Sequence, residues 1–213
     1  MKTDDLIRVL AADQRSRVPP LSQLLVGALA VGTALAIALF AWRTNLRPGL
    51  AAAAQQDFRV TLKFLVTLAL AISAAGLLMR LIRPGARRGL WLSALLIGPV
   101  LLACGIFYEL AMIDPSTWRA RLVGRNSMFC LKMIPLLATP ILGALLIALR
   151  YGAAIRPTLT GAAAGLVAGG ISGALYAAHC PDDSPLFVLA WYGLAIALVT
   201  LVGALAGSRI LRW

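Results

Sequence analysis

Charge is scarce in this sequence, and acidic charge most of all. Of 213 residues 13% are charged, with eight Asp or Glu against twenty Lys or Arg. A soluble domain draws about a quarter of its residues from those four types, so a water-facing globular surface is excluded. Histidine occurs once and cysteine three times. Three cysteines cannot build the dense framework of a small secreted domain, and with no CxxC pair or four-ligand cluster there is no high-affinity structural zinc site. Nucleotide-binding glycine loops before a lysine, nucleophile elbows and paired carboxylates with a base are also missing. The chain is therefore expected to be no enzyme and to require no cofactor.

What is present is apolar: 61% of residues are hydrophobic, and the mean hydropathy is +0.87. A helix rises about 1.5 Å per residue and must cross about 30 Å of hydrocarbon, so each crossing takes roughly 20 apolar residues. Six such runs fit: Leu21 to Trp42, Phe58 to about Met79, Leu90 to Ala111, Met128 to Leu149, Thr158 to Ala178, and Leu186 to Gly207. The fold class read from this is all-α, a polytopic membrane protein with six transmembrane helices. Residues 1–20 form a polar N-terminal segment, 21–207 the transmembrane domain and 208–213 a tail. No secretory signal peptide is expected, because the polar segment is some twenty residues long and includes acids, and the run after it is long enough to span.

A net charge of +12 would suggest nucleic acid in a soluble protein. Here the basic residues lie between apolar runs, the distribution of topology-setting charge, so no direct nucleic-acid contact is expected. Twelve of the twenty Lys and Arg fall on the side of both termini, among them Arg80, Arg83, Arg87 and Arg88 around a Pro-Gly turn. Both termini are accordingly placed inside.

The N-terminal segment has helical chemistry. Thr3 or Asp4 can cap a helix, Asp4 and Asp5 suit its first turn, and Leu6, Val9 and Leu10 share one face. About ten residues are marginal alone, so this amphipathic helix should order on docking to a partner. Pro19-Pro20 ends it.

Two thiols carry the other candidate chemistry. From Cys130 to Leu149 is ~29 Å of helix and from Thr158 to Cys180 ~33 Å, which brings both to similar depth at one face. A disulfide needs Cα atoms within ~7 Å. A soft metal ion held by the two sulfurs is the other option, with His179, Asp182 or Asp183 completing its shell. His179, directly before Cys180, is also the natural modulator of that thiol, and a membrane exit is a polar, accessible place. Cys104, in the middle of the third run, reads as a small hydrophobe.

Lys63, Glu109 and Lys132 lie within spans but toward the outer interface, where lysines snorkel, so a solvated or mutually paired set is expected rather than a relay. Gly161, Gly165, Gly169 and Gly173 recur every four residues and form a smooth stripe. Internal packing is expected there, with Gly203 and Gly207 facing it; self-association is the alternative. A small metal-ion permease would need polar groups at mid-depth, where the spans have few. A membrane thiol oxidoreductase would need a CxxC pair.

The opening MKTDDLIRVLAAD, the segment CLKMIPLLATP, the loop LRYGAAIRPTLTG, and above all LYAAHCPDDSPLFVLAWY with the closing ILRW resemble the NrsF family of six-span bacterial membrane proteins. That resemblance covers nearly the whole chain. It implies an inner-membrane anti-sigma factor for an extracytoplasmic-function sigma factor, held by the cytoplasmic N-terminal segment. It also implies two periplasm-facing cysteines that respond to heavy metals or oxidative stress. Cys130 and Cys180 match those positions, and Asp4, Asp5 and Leu6 lie in the matching N-terminal motif. Cys104 falls outside it.

Overall fold

The computed structural model describes residues 3–5, 20–83, 89–152 and 154–212. Among them there is no strand, and six helices are long and apolar enough to cross a membrane: α1 (Leu21–Arg43), α2 (Phe58–Leu81), α3 (Gly89–Met112), α4 (Ser127–Leu149), α5 (Pro157–Ala177) and α6 (Pro185–Ile210). Every expected span is present, with ends shifted by a few residues. Large apolar side chains such as Val31, Leu35, Ile72, Phe107 and Leu201 face outward, as suits a protein whose solvent is hydrocarbon.

Two connections are more ordered than loops. Leu50–Gln56, sequence LAAAAQQ, is a short helix, because Ala and Gln favour helix and Gly49 supplies the left-handed residue before it, φ 71°. Between α3 and α4, a turn at Pro115–Thr117 capped by Asp114 leads into a helix at Trp118–Val123.

Two spans depart from regular α-helix, and a third accommodates two prolines without a break. α3 breaks at Leu95-Leu96, where Pro99 removes the amide that would bond the Leu95 carbonyl and its ring crowds that oxygen. α4 contains Pro135 and Pro140 yet stays continuous. The Leu136 carbonyl, which Pro140 leaves without its amide, receives the Thr139 hydroxyl at 2.7 Å; in lipid such freed groups must be satisfied internally. α6 opens with a π-helical turn at Val188–Tyr192, a widening common at functional sites.

α5 lies at the centre, packed on α6, α2 and α4. Its glycines permit the approach. A Cβ on Gly161 would run into the backbone of Gly203 and Gly207, one on Gly165 would lie 2.8 Å from the Thr200 Cα, and one on Gly170 would lie 2.9 Å from the Ala71 Cβ. The stripe is thus the internal seam expected, with Gly203 and Gly207 opposite. α1 packs on α4, where Gly32 meets the backbone of Ile141 and Pro140. α3 rests mainly on α2 and leaves an apolar groove of about 910 Å³ between α2, α3 and α6. The core falls into two clusters: one around Leu25, Leu78 and Leu145 near the chain termini, the other around Phe40, Cys130, Tyr176, Cys180 and Phe187 at the opposite end.

Candidate functional site

At the end opposite the termini, one segment ties the surrounding elements together residue by residue. The Ala178 carbonyl accepts the Arg47 amide at 3.0 Å. His179 Nδ1 lies 2.7 Å from the Asn45 carbonyl oxygen; a carbonyl can only accept, so Nδ1 carries the proton. The Cys180 carbonyl accepts from Lys63 Nζ at 2.6 Å. Asp182 takes the amides of Arg125 and Asn126, the latter at 2.9 Å, which sets its carboxylate against the N-terminus of α4, where the helix dipole favours negative charge. Asp183 is shared by Lys63 at 2.5 Å and Arg47 at 2.6 Å. Ser184 caps α6 and donates its hydroxyl to Glu109 at 2.8 Å, while Glu109 also pairs with Arg121 at 3.0 Å.

Cys130, in the first turn of α4, and Cys180, just past α5, share one cluster with Ile134, Tyr176, Phe187, Val188 and Tyr192. Both are free, and they lie close enough to influence each other electrostatically, with Lys63 and Asp182 as further neighbours. Counting residues along the helices therefore placed both thiols at the same end correctly. Accessibility is corrected: each has 0% of its surface exposed, packed in one cluster with the rings of Tyr176 and Phe187 and with Val188 and Tyr192 of the π turn of α6. The Cys180 Sγ reaches the Asp182 carbonyl at 3.9 Å. Burial raises its pKa above the ordinary thiol value, opposed in part by the Lys63 ammonium. The Tyr176 and Tyr192 hydroxyls are buried near the Cys180 thiol and find no hydrogen-bond partner of ordinary geometry among the described residues.

His179 is adjacent to Cys180 in sequence but is committed elsewhere. Its ring packs on Phe129 at 5.6 Å and Tyr176 at 6.0 Å between centroids. Among the described residues no three His, Cys, Asp or Glu side chains gather as a metal-binding group, and both aspartates are engaged by other partners. The local donor set is two sulfurs. Cys104 sits exposed on α3, apart from this cluster.

The expectation for the in-span charges is also corrected. Lys63 does not snorkel: its side chain is 0% exposed and bonded to Asp183. Glu109 is equally buried and pairs with Arg121 and Ser184, not with a lysine. Lys132 alone is exposed. The partners Asp183 and Ser184 were missed, although a signal existed. A lysine inside a span needs an acid, and toward that end of the bundle the candidates are Asp57, Glu109, Asp114, Asp182 and Asp183. A cleft of about 600 Å³ opens between helix Trp118–Val123 and this segment, lined by Arg121, Arg125, Asp182 and Asp183 among others.

At the N-terminus, residues Thr3 to Asp5 are helical and exposed, Asp4 and Asp5 among them. Leu6, Val9 and Leu10 lie outside the described residues, as do Arg87 and Arg88.

A family model described as NrsF, negative regulator of sigma F, matches residues 10–213. The anti-sigma-F factor NrsF of Caulobacter vibrioides is 35% identical over 218 residues, covering 100% of both chains. The probable anti-sigma-F factor NrsF of Azospira oryzae is 36% identical over 219 residues, again covering 100% of both. No solved structure is detectably similar.

Proposed function

The chain belongs to the NrsF family of negative regulators of sigma F, and on that premise we propose that it is a bacterial inner-membrane anti-sigma factor with a thiol sensor. It holds an extracytoplasmic-function sigma factor through its cytoplasmic N-terminal segment and releases it when Cys130 and Cys180 meet a heavy-metal ion or an oxidant. In this reading Leu6, Val9 and Leu10 enter a groove on the sigma factor, while Asp4 and Asp5 meet basic residues that the partner otherwise turns toward DNA.

One observation carries the sensor: two free thiols buried in one cluster beneath a segment whose polar groups tie α2, α3, α4 and the first loop. Both sulfurs are wholly buried, so a metal ion or an oxidant from outside reaches them when that segment opens. Opening would break several ties together, which favours two discrete arrangements over a continuum. A signal moves such an equilibrium only by its differential affinity for the two states, and turning it from 1:99 to 99:1 takes about 5.5 kcal/mol. Two sulfurs, with no third His, Cys, Asp or Glu side chain gathered beside them among the described residues, suit a soft ion.

The test is release of the sigma factor from membranes carrying the C130S/C180S chain. Retention should match the parent, and neither cadmium nor peroxide should release the partner. Release equal to the parent's ends the sensor reading.

A further inference from the structure

Lys63 is the residue the thiol reading leaves unexplained. Its ammonium is wholly buried on a membrane span, at a cost that an apolar side chain of similar size would avoid. What it touches is specific. Nζ donates to the Cys180 carbonyl at 2.6 Å and to the Asp183 carboxylate at 2.5 Å. These two acceptors lie three residues apart on the segment that covers the thiols, with Pro181, whose φ is locked, between them.

We propose that Lys63 is the positioning residue of the thiol pair. By grasping the chain on both sides of Pro181 from α2, it fixes Cys180 against Cys130. Two anchors three residues apart set both the depth and the direction of the backbone between them. The Cys180 carbonyl is one of those anchors, so the Cα–Cβ direction of that residue is set as well. Cys130 needs no such aid, being fixed by the regular first turn of α4, whose amide at Cys130 bonds the Asn126 carbonyl at 2.8 Å. Arg47 holds the other Asp183 oxygen from the first loop and keeps that carboxylate turned toward α2. The second tie, Ser184 to Glu109 and Arg121, fastens the segment farther on, at the start of α6, and does not touch Cys180. The proposal rests on the thiol reading for its purpose and on α2 geometry for its content.

The experiment uses the full-length C104S chain in membrane vesicles and a bifunctional alkylating agent that fluoresces only when both arms have reacted with thiols. Each arm forms a carbon–sulfur bond and releases bromide, so fluorescence per total alkylated thiol reports whether Cys130 and Cys180 are held together. K63M should lower that ratio by at least about ten-fold, within the roughly hundred-fold that a misplacement of about 1 Å can cost two groups that must meet. E109Q, which weakens the other tie, should leave it near the parent value. The proposal is overturned if K63M keeps the parent ratio, or if E109Q lowers it as far as K63M does. Where K63M does not accumulate in the membrane, D183A removes the far acceptor of the same grip and is judged by the same two outcomes. Should the serine double variant still release its sigma factor normally while K63M lowers the ratio, the sensor reading fails and the positioning role stands.

Discussion

In G165A the new Cβ would lie 2.8 Å from the Thr200 Cα and 2.8 Å from the Val199 carbonyl oxygen. Carbon atoms rest at about 3.5–4.0 Å, so the intrusion is close to 1 Å. Both opposing atoms are backbone, and no change of rotamer relieves the contact; α5 and α6 must part. Overpacking of this kind costs about 1–3 kcal/mol. The internal control is G143A on α4, where a Cβ would meet nothing within 4 Å. Both substitutions gain the helix preference of Ala over Gly, about 1 kcal/mol, so it cancels in the comparison. The two variants should therefore differ by the overpacking cost alone, with G165A the less stable. Unfolding of the purified chain in mixed micelles by increasing SDS, followed by far-ultraviolet circular dichroism, measures this. A consequence at the site should accompany it. Tyr176 on α5 and Tyr192 on α6 flank the thiols, so prying the seam should speed alkylation of Cys130 and Cys180. Unfolding of G165A and G143A at the same SDS fraction would refute the reasoning.

Deleting residues 1–13 should abolish retention of the sigma factor at the membrane while leaving the spans intact; a co-purified sigma factor that stays bound would remove the docking role of that segment. The Cys180 thiol supplies a pH test. Burial holds its ionisation above the ordinary range, so its contribution to stability is fully present below the unfolded value of about 8.5 and is lost as pH rises from there toward the folded value. Between pH 7 and about 9.5, below the range where lysines titrate, the SDS midpoint should fall with rising pH, and C180S should flatten that slope. Equal slopes would show that the thiol is not the group responsible.

The six spans were legible in the sequence because a membrane crossing needs length and apolarity, both local properties of the chain. So was the common depth of Cys130 and Cys180, which follows from helix rise counted along two adjacent spans. The glycine stripe was legible too, since a period of four on one helix face needs no knowledge of its neighbour. The helix at Leu50–Gln56 is too short for periodicity to separate it from a connecting loop, and only its Ala and Gln content favours helix there.

Tertiary structure alone decided how that common depth is used. Whether a thiol at the edge of a membrane meets water depends on what packs around it, and Phe187, Tyr176 and the π turn of α6 come from elements far from Cys130 in sequence. His179 shows the same limit from the other side: adjacency to Cys180 along the chain said nothing of where its ring would turn, and it turned to Asn45. The grip of Lys63 on Cys180 and Asp183 spans more than a hundred residues. Apolarity is written residue by residue along the chain, but the pairing of a buried charge is set only when distant segments meet.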